Sequence, residues 1–427
     1  MKLFCIVFFI VVLICMLYRN KGTASMYNGV LIGGLIYYGI VPLISEIYKS
    51  SMEYSYTYYL NMDTYSYIFT YMYITAFFCI FFISSKGYIL NRSYVYVANE
   101  NKLSKYMKLI GYSSLILGGI SLLLFFKALG GLSSALSIAE QARSFAISLT
   151  DFMPYFASLL VIPARLVTVA PFCFWVLIYL NGRKGKIRYQ KYMLLSIVLA
   201  ALFYLFNAGR APILAMILCF VVPVMKNMKI KHAWLYTFII GIAAMPLLDV
   251  LDQLFVYMQK GTFDMGETDY LHYLNQFTYP INNAFHAFDI GRTFGFRWGR
   301  DFVTAVLDFV PGLSFEPSYI PTSAYIGGPH WHITGGTPND IITLSILEFH
   351  IFGFLIVPFV LGKISKFADE FIRGCPSVKA GRVLATVVAV YSFLMVANAD
   401  PYAIFRAFIL WLTVLSMMLS KSRQKKY

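Results

Sequence analysis

Apolar runs long enough to cross a bilayer recur along almost the whole chain, and that recurrence leaves few folds open. A helix needs about 20 residues to span roughly 30 Å of hydrocarbon. In that solvent only helices and closed barrels satisfy their own backbone polar groups. Candidate helical runs fall at 3–18, 27–45, 66–84, 108–126, 156–180, 192–207, 211–225, 233–250, 341–361, 383–399 and 403–419. The pair at 192–207 and 211–225 is short and split by Gly209-Arg210-Ala211-Pro212. Of the 427 residues 59% are hydrophobic and only 13% charged, whereas a soluble domain carries about 25% charged. The expectation is an all-α polytopic membrane protein with about eleven transmembrane helices. The first run, Leu3 to Tyr18, lacks a small-residue cleavage site and is followed by Arg19 and Lys21, so it reads as a retained helix rather than a signal peptide.

The formal net charge of +15 is a topology signal rather than a nucleic-acid footprint. Of the 35 lysines and arginines, 24 fall in alternate loops and the tail, from Arg19 and Lys21 through Arg183 to Lys191 and on to Lys421 to Lys426. The positive-inside rule makes those loops cytoplasmic, placing the C-terminus inside and the N-terminus outside. Cations on that side also match anionic headgroups, so membrane lipids are expected partners and nucleic acid is not. The six cysteines show no metal-ligand spacing, and none falls in an outer loop where a disulfide framework could form.

This reading divides the chain into residues 1–250 with the first eight helices, a large external loop at 251–340, and residues 341–427 with the last three helices and a basic tail. The loop is rich in aromatics. Within it, the run from Arg300 to Pro311 puts Val303, Val306, Leu307 and Val310 on one helical face, as in a helix lying on the bilayer and stopped near Pro311-Gly312. The turn-rich stretch from Ile326 to Pro338 can bring backbone close to a ligand. A folded loop on a helical scaffold fits a binding or catalytic lid better than a plain cap.

Eleven cations break the charge rule, and seven are arginine: Arg143, Arg165, Arg210, Arg292, Arg297, Arg300 and Arg406. Guanidinium groups recognise phosphate oxygens in a bidentate manner and keep their charge. A shared anionic ligand at the outer headgroup level accounts for the set. The competing account pairs single arginines with acids, Arg406 with Asp400 and Arg210 with Asp249. Candidate proton acceptors are His330, His332, Asp340 and Glu348. Glu348 and His350, two apart on one helix, point to different faces and cannot act as a direct pair. Asp264, Glu267 and Asp269 fit no standard metal loop, and phosphate-binding, zinc and serine-elbow motifs are missing, so neither metal nor other cofactor is expected. No clear inverted repeat of the transporter kind is visible.

Taken together, the many spans, the 18% aromatic content and the late outer loop make the chain resemble the oligosaccharide repeat-unit polymerases, the O-antigen polymerase (Wzy) family. Locally the resemblance rests on Gly209-Arg210-Ala211-Pro212, on Gly299-Arg300-Asp301 leading to Val310-Pro311 and Glu316-Pro317, and on Gly335 to Asp340 running into Glu348-Phe349-His350-Ile351-Phe352-Gly353. It implies a fold like that of GT-C-like membrane glycosyltransferases. It also implies polymerisation of undecaprenyl-pyrophosphate-linked oligosaccharide units at the outer leaflet of a bacterial inner membrane, and it makes room for a separate chain-length regulator. Arg210 and Arg406 are then expected at the pyrophosphate, with Arg292, Arg297, Arg300 and Arg165 securing headgroup or glycan. The alternatives are an O-antigen ligase using the same donor on another acceptor, and a flippase for lipid-linked sugars. A membrane acyltransferase is disfavoured, because no span carries a deep His beside a supporting Asn.

Overall fold

The computed structural model describes residues 1–18, 24–49, 57–85, 97–135, 155–206, 210–228, 274, 277–310, 315–316, 318–326 and 337–422. The chain is an all-α membrane protein. Among the described residues six helical stretches are long and apolar enough to cross a membrane: Met26–Ile47, Thr64–Ser85, Glu100–Ala128, Leu159–Phe206, Ile341–Arg373 and Val378–Ala397. Shorter apolar helices are Lys2–Tyr18, Pro212–Asn227 and Phe408–Leu419. The expected span at 233–250 lies outside the described residues. The chain folds as two compact units: Met1–Arg92, Asp269–Asp369 and Tyr391–Arg406 form the first, and Ser93–Thr268, Glu370–Val390 and Ala407–Tyr427 the second.

The first unit opens with α1 (Lys2–Tyr18), α2 (Met26–Ile47) and α3 (Thr64–Ser85). α1 buries Ile6, Phe9 and Leu13 while Phe4, Val7, Phe8 and Val11 stay exposed, a distribution that suits hydrocarbon on the outer face. Phe9 packs on Phe78 of α3 with ring centroids 5.7 Å apart. Inside α2 the turn Ile36–Ile40 is π-helical, just ahead of Pro42. Proline has no N–H to bond the carbonyl four residues back. That carbonyl belongs to Tyr38, and it accepts instead from the Tyr71 hydroxyl of α3 at 3.0 Å.

In the second unit the ladder of β1 (Val97–Ala98) precedes α4 (Glu100–Ala128), whose first turn is capped by Asn99 accepting from the Lys102 amide at 3.1 Å. α4 packs against α5 (Tyr155–Ala164), the short 3-10 turn Arg165–Thr168 and α6 (Ala170–Phe206), with Phe125 and Phe206 at 4.6 Å between centroids. α6 breaks at Gly182 (φ 57°, ψ −135°) into two helices. The expected loop between spans is thereby reduced to a kink, and the basic residues Arg183 to Lys191 begin the second helix. A left-handed φ of this kind costs a side-chain-bearing residue about 1–2 kcal/mol and glycine very little. α7 follows as Arg210–Asn227.

Returning to the first unit, α8 (Tyr279–Phe294), α9 (Arg300–Leu307) and α10 (Tyr319–Ile326) are the helices described within the stretch expected as an external loop. α9 leaves Val303 60% and Val306 51% exposed, as the periodicity implies, and Val310, 47% exposed, lies in the turn beyond it. The helix ends at Leu307 rather than at Pro311: the Asp308 amide still makes the helical bond to the Thr304 carbonyl at 2.8 Å, but the Phe309 and Val310 amides tighten onto the Val306 and Leu307 carbonyls three residues back, at 3.3 and 2.9 Å. The chain continues through α11 (Ile341–Phe349), α12 (Gly353–Arg373), α13 (Val378–Ala397), α14 (Pro401–Phe405) and α15 (Phe408–Leu419). The run expected as one helix at 403–419 is thus two, parted at Arg406-Ala407. β2 (Lys421–Ser422) pairs antiparallel with β1. All six cysteines are free thiols.

Candidate functional site

Arginines from distant parts of the sequence come together on α9. Arg297, three residues before the helix, reaches Asp301 in its first turn (Nε–Oδ2 3.9 Å) and Glu316 (Nη2–Oε2 3.3 Å). Its side chain is only 9% exposed. At the other end Asp308, the C-cap of α9, accepts a hydrogen bond from Arg406 Nη2. Arg406 is itself the C-cap of α14, and the two residues are 98 apart in sequence. An eight-residue helix is about 12 Å long, so two guanidinium groups bracket one short helix.

Between them Arg300 is exposed, and among the described residues no carboxylate lies within ion-pair distance of it. Arg292 near the end of α8 is 75% exposed and pairs with Asp289 at 3.6 Å, a surface contact worth little. Arg165 belongs to the second unit, where its guanidinium lies 6.0 Å from the Phe203 ring centroid. Arg210 opens α7, but its side chain lies outside the described residues, as do Arg143, His330, His332 and the acids Asp264, Glu267 and Asp269.

Arg406 pairs with an acid, as the competing account had it, but the acid is Asp308 rather than Asp400. Asp400 is occupied as N-cap of α14, accepting from the Tyr402 amide at 2.9 Å. Burial pushes its carboxyl up to about 6, against the pull of the Tyr402 amide and the Ser318 hydroxyl. Asp340 likewise serves as a cap. It accepts from the Ile342 amide (2.9 Å), the Thr343 amide (3.1 Å), the Thr343 hydroxyl and the Tyr38 hydroxyl (2.5 Å), which commits its buried carboxyl to four donors.

The expected single helix around Glu348 is interrupted. The chain leaves α11 at Phe349, passes His350 with φ 53° and ψ −138°, makes one 3-10 turn over His350–Phe352 and re-enters helix at Gly353. Glu348 and His350 therefore do not share one helix, so helical periodicity does not set their relative directions. Close approach at Gly353 permits the break: a Cβ there would lie 2.0 Å from the Ser345 carbonyl oxygen. The segment carrying Arg297 clasps this break. Its amide donates to the Leu347 carbonyl at 2.7 Å, Phe296 meets the His350 ring at 4.4 Å, and Trp298 also holds a left-handed φ of 53°. Two non-glycine residues in that region within one contact are the kind of strain that surrounding packing must over-determine.

Glu348 is fully buried, and its carboxyl faces that of Asp301, which is 1% exposed. Sequence reasoning passed over Asp301 and Asp308. The four-residue spacing from Arg297 to Asp301 was a usable signal; nothing local points from Asp308 to Arg406. Among the described residues no group of three or more His, Cys, Asp or Glu side chains is placed to hold a metal. No family model matches the sequence, and no curated protein or solved structure is significantly similar to it.

Proposed function

We propose that this chain is a membrane glycosyltransferase with about eleven spans and a GT-C-like architecture. In this reading it polymerises undecaprenyl-pyrophosphate-linked oligosaccharide units at the outer leaflet of a bacterial inner membrane, with the C-terminus in the cytoplasm. The observation that carries the reading is the gathering of Arg297, Arg300 and Arg406 on one amphipathic helix. A pyrophosphate leaving group develops negative charge, and guanidinium groups already held in place stabilise it without reorganisation. The paired acids Asp301, Glu316 and Asp308 fix the guanidinium planes, and Arg300 supplies a charge not committed to a described carboxylate. The exposed valines of α9 would seat this cluster at headgroup depth, where a lipid-borne pyrophosphate lies.

Activation of the acceptor hydroxyl falls to His330 or His332 in this reading. Glu348 is fully buried and Asp340 is committed to four donors, so neither meets a sugar as the chain stands. The interrupted α11–α12 segment favours a second reading, a transporter of lipid-linked sugars, because transporters place broken helices at their substrate sites.

The deciding experiment incubates purified protein with a lipid-pyrophosphate-linked repeat unit from its own host, without nucleotide or added metal. A ladder of products, lost in Arg297→Ala and Arg406→Ala while folding persists, supports the polymerase. An unextended substrate that crosses sealed vesicles assigns a flippase instead. Extension only onto a lipid A-core acceptor assigns a ligase.

A further inference from the structure

The contact between Asp301 and Glu348 stands apart from the ion pairs around it. Both residues are buried, at 1% and 0% exposure, and they come from α9 and from the last turn of α11. Their carboxyl groups face each other, and the backbone amides of Gly299 and Asp301 approach Glu348 without reaching full hydrogen-bond geometry. Among the described residues the one cation in ion-pair range is Arg297, 3.9 Å from Asp301 Oδ2. Two carboxylates in mutual contact, out of water and opposite a single guanidinium, cannot both ionise at neutral pH without a large penalty. One proton between them leaves a single negative charge on the buried side of Arg297, whose Nη2 pairs separately with the half-exposed Glu316.

We propose that Asp301 and Glu348 share one proton and act as positioning residues for Arg297, holding its guanidinium by the single charge that the shared proton leaves. Burial, as the largest influence, raises Asp301 above the usual carboxylate range, while contact with Glu348 and the charges of Arg297 and Arg300 oppose it. The other groups whose charge reaches Asp301 are Glu316, Asp400 and Tyr402. The His350 ring, two residues beyond Glu348, packs on Phe296. Loss of the shared proton puts two negative charges on the buried side of Arg297, in addition to Glu316 on its outer side. The guanidinium is then drawn inward, and an anion at the surface of α9 meets repulsion. The proton thus sets how far Arg297 is offered to a phosphate-bearing ligand, and this last step rests on the anion-binding role proposed above.

The test uses the full-length protein in detergent and two readouts. Among the described residues Glu348 is the only glutamate that is buried. Infrared spectra of protein labelled with carboxyl-¹³C glutamate, taken as the difference between the native protein and Glu348→Gln, isolate its protonated C=O stretch. The expected result is such a band at neutral pH that disappears on alkaline titration and is lost in Asp301→Asn, where Glu348 alone faces Arg297 and ionises. No titrating band in the native protein overturns the proposal without recourse to any variant, and a band unchanged in Asp301→Asn overturns the sharing.

The second readout is binding of inorganic pyrophosphate across the same pH range. Native affinity is expected to fall several-fold as the band disappears. In Glu348→Gln the charge beside Arg297 is the same at every pH and the fall is absent; the exchange Asp301→Glu with Glu348→Asp restores it. An identical pH profile in Glu348→Gln overturns the positioning role. Failure of the native protein to bind pyrophosphate at any pH counts against the anion-binding reading and against positioning toward an anion, while the infrared band still decides whether the proton is shared.

Discussion

Arg406 and Asp308, 98 residues apart in sequence, are joined by a hydrogen-bonded ion pair that ties the end of α14 to the end of α9. The two side chains are 30% and 15% exposed, so the contact is only partly screened by its surroundings. Tyr402, one turn earlier, places its ring 5.8 Å from the same guanidinium. Arg406→Ala is expected to lower unfolding stability by about 1–2 kcal/mol, since a charged hydrogen bond is lost and Asp308 is left partly desolvated. Exchange of the pair, Arg406→Asp with Asp308→Arg, should recover part of that loss in a thermal unfolding assay. Recovery of stability without recovery of glycan extension separates the structural contribution of Arg406 from a role at the donor.

The cap at Asp340 makes a contrasting case. Asp340→Ala removes the N-cap of α11, worth about 1 kcal/mol. It also strands the buried Tyr38 hydroxyl, which adds about 1–3 kcal/mol. Asp340→Asn keeps an acceptor for the helix amides and should lose much less. Extension activity that follows stability across these two variants marks Asp340 as a scaffold residue. Activity abolished in a stable Asp340→Asn would return it to the list of proton acceptors.

The interruption at His350 depends on glycine at position 353. A Cβ at Gly353 would meet the Ser345 carbonyl oxygen at 2.0 Å and the Tyr73 hydroxyl at 2.7 Å. Backbone cannot yield as a flexible side chain does, so Gly353→Ala is expected to cost about 3 kcal/mol or more. Because the same break receives Arg297 through the Leu347 carbonyl, the variant should also lose the contact of Phe296 with His350. A folded Gly353→Ala protein with native unfolding temperature would show that the close approach is relieved by a shift of the helices.

How far the sequence disclosed these features depends on their range. The spans at 27–45, 66–84 and 108–126 were legible because length and apolarity are local properties, and the structure places Met26–Ile47, Thr64–Ser85 and Glu100–Ala128 over them. The outward face of α9 was legible for the same reason: Val303, Val306 and Leu307 repeat with helical period. Breaks were not. Phe349-His350 and Arg406-Ala407 each interrupt an apolar run taken as one span, and the cause lies in tertiary contacts, whereas Gly182 falls within the basic stretch expected as a loop and only the shortness of the break was hidden. The arginines were found by counting charges against topology, whereas their partners Asp301 and Asp308 are ordinary acids until the fold brings them opposite a guanidinium.

Asp400 supplies a pH dependence with a definite sign. Its carboxyl is raised from its ordinary 3.8 to about 6, chiefly by burial. The folded protein therefore holds this proton more tightly than the unfolded chain. The resulting stabilisation is fully present below about pH 3.8, is lost as the pH rises through about 6, and changes no further above that. Asn caps a helix about as well as Asp, so Asp400→Asn should keep α14 and remove this component. Subtracting the variant's stability from the native value across pH 4 to 7 should give a difference that falls as pH rises and then levels. A flat difference would mean that Asp400 titrates alike in both states.

The placement of α9 at the bilayer surface can be read from Trp298. Trp298 is 66% exposed and lies one residue before Gly299, the N-cap of α9. Tryptophan favours the headgroup boundary, where its apolar body is buried and its N–H stays wet. With Trp175, Trp234, Trp331 and Trp411 replaced by phenylalanine, Trp298 becomes the only indole in the chain. In vesicles its fluorescence should be quenched strongly by lipids brominated near the headgroup and weakly by lipids brominated near the chain ends. Val303→Ser with Val306→Ser removes about 2 kcal/mol or more of apolar attachment on area grounds. That variant should weaken the quenching while leaving the Arg297 and Arg406 ion pairs intact, since neither valine takes part in them. If extension falls in step with the quenching, the arginine cluster works only when α9 rests on the membrane. Efficient quenching from the chain ends instead would place α9 within the hydrocarbon, too deep for a headgroup-level phosphate site.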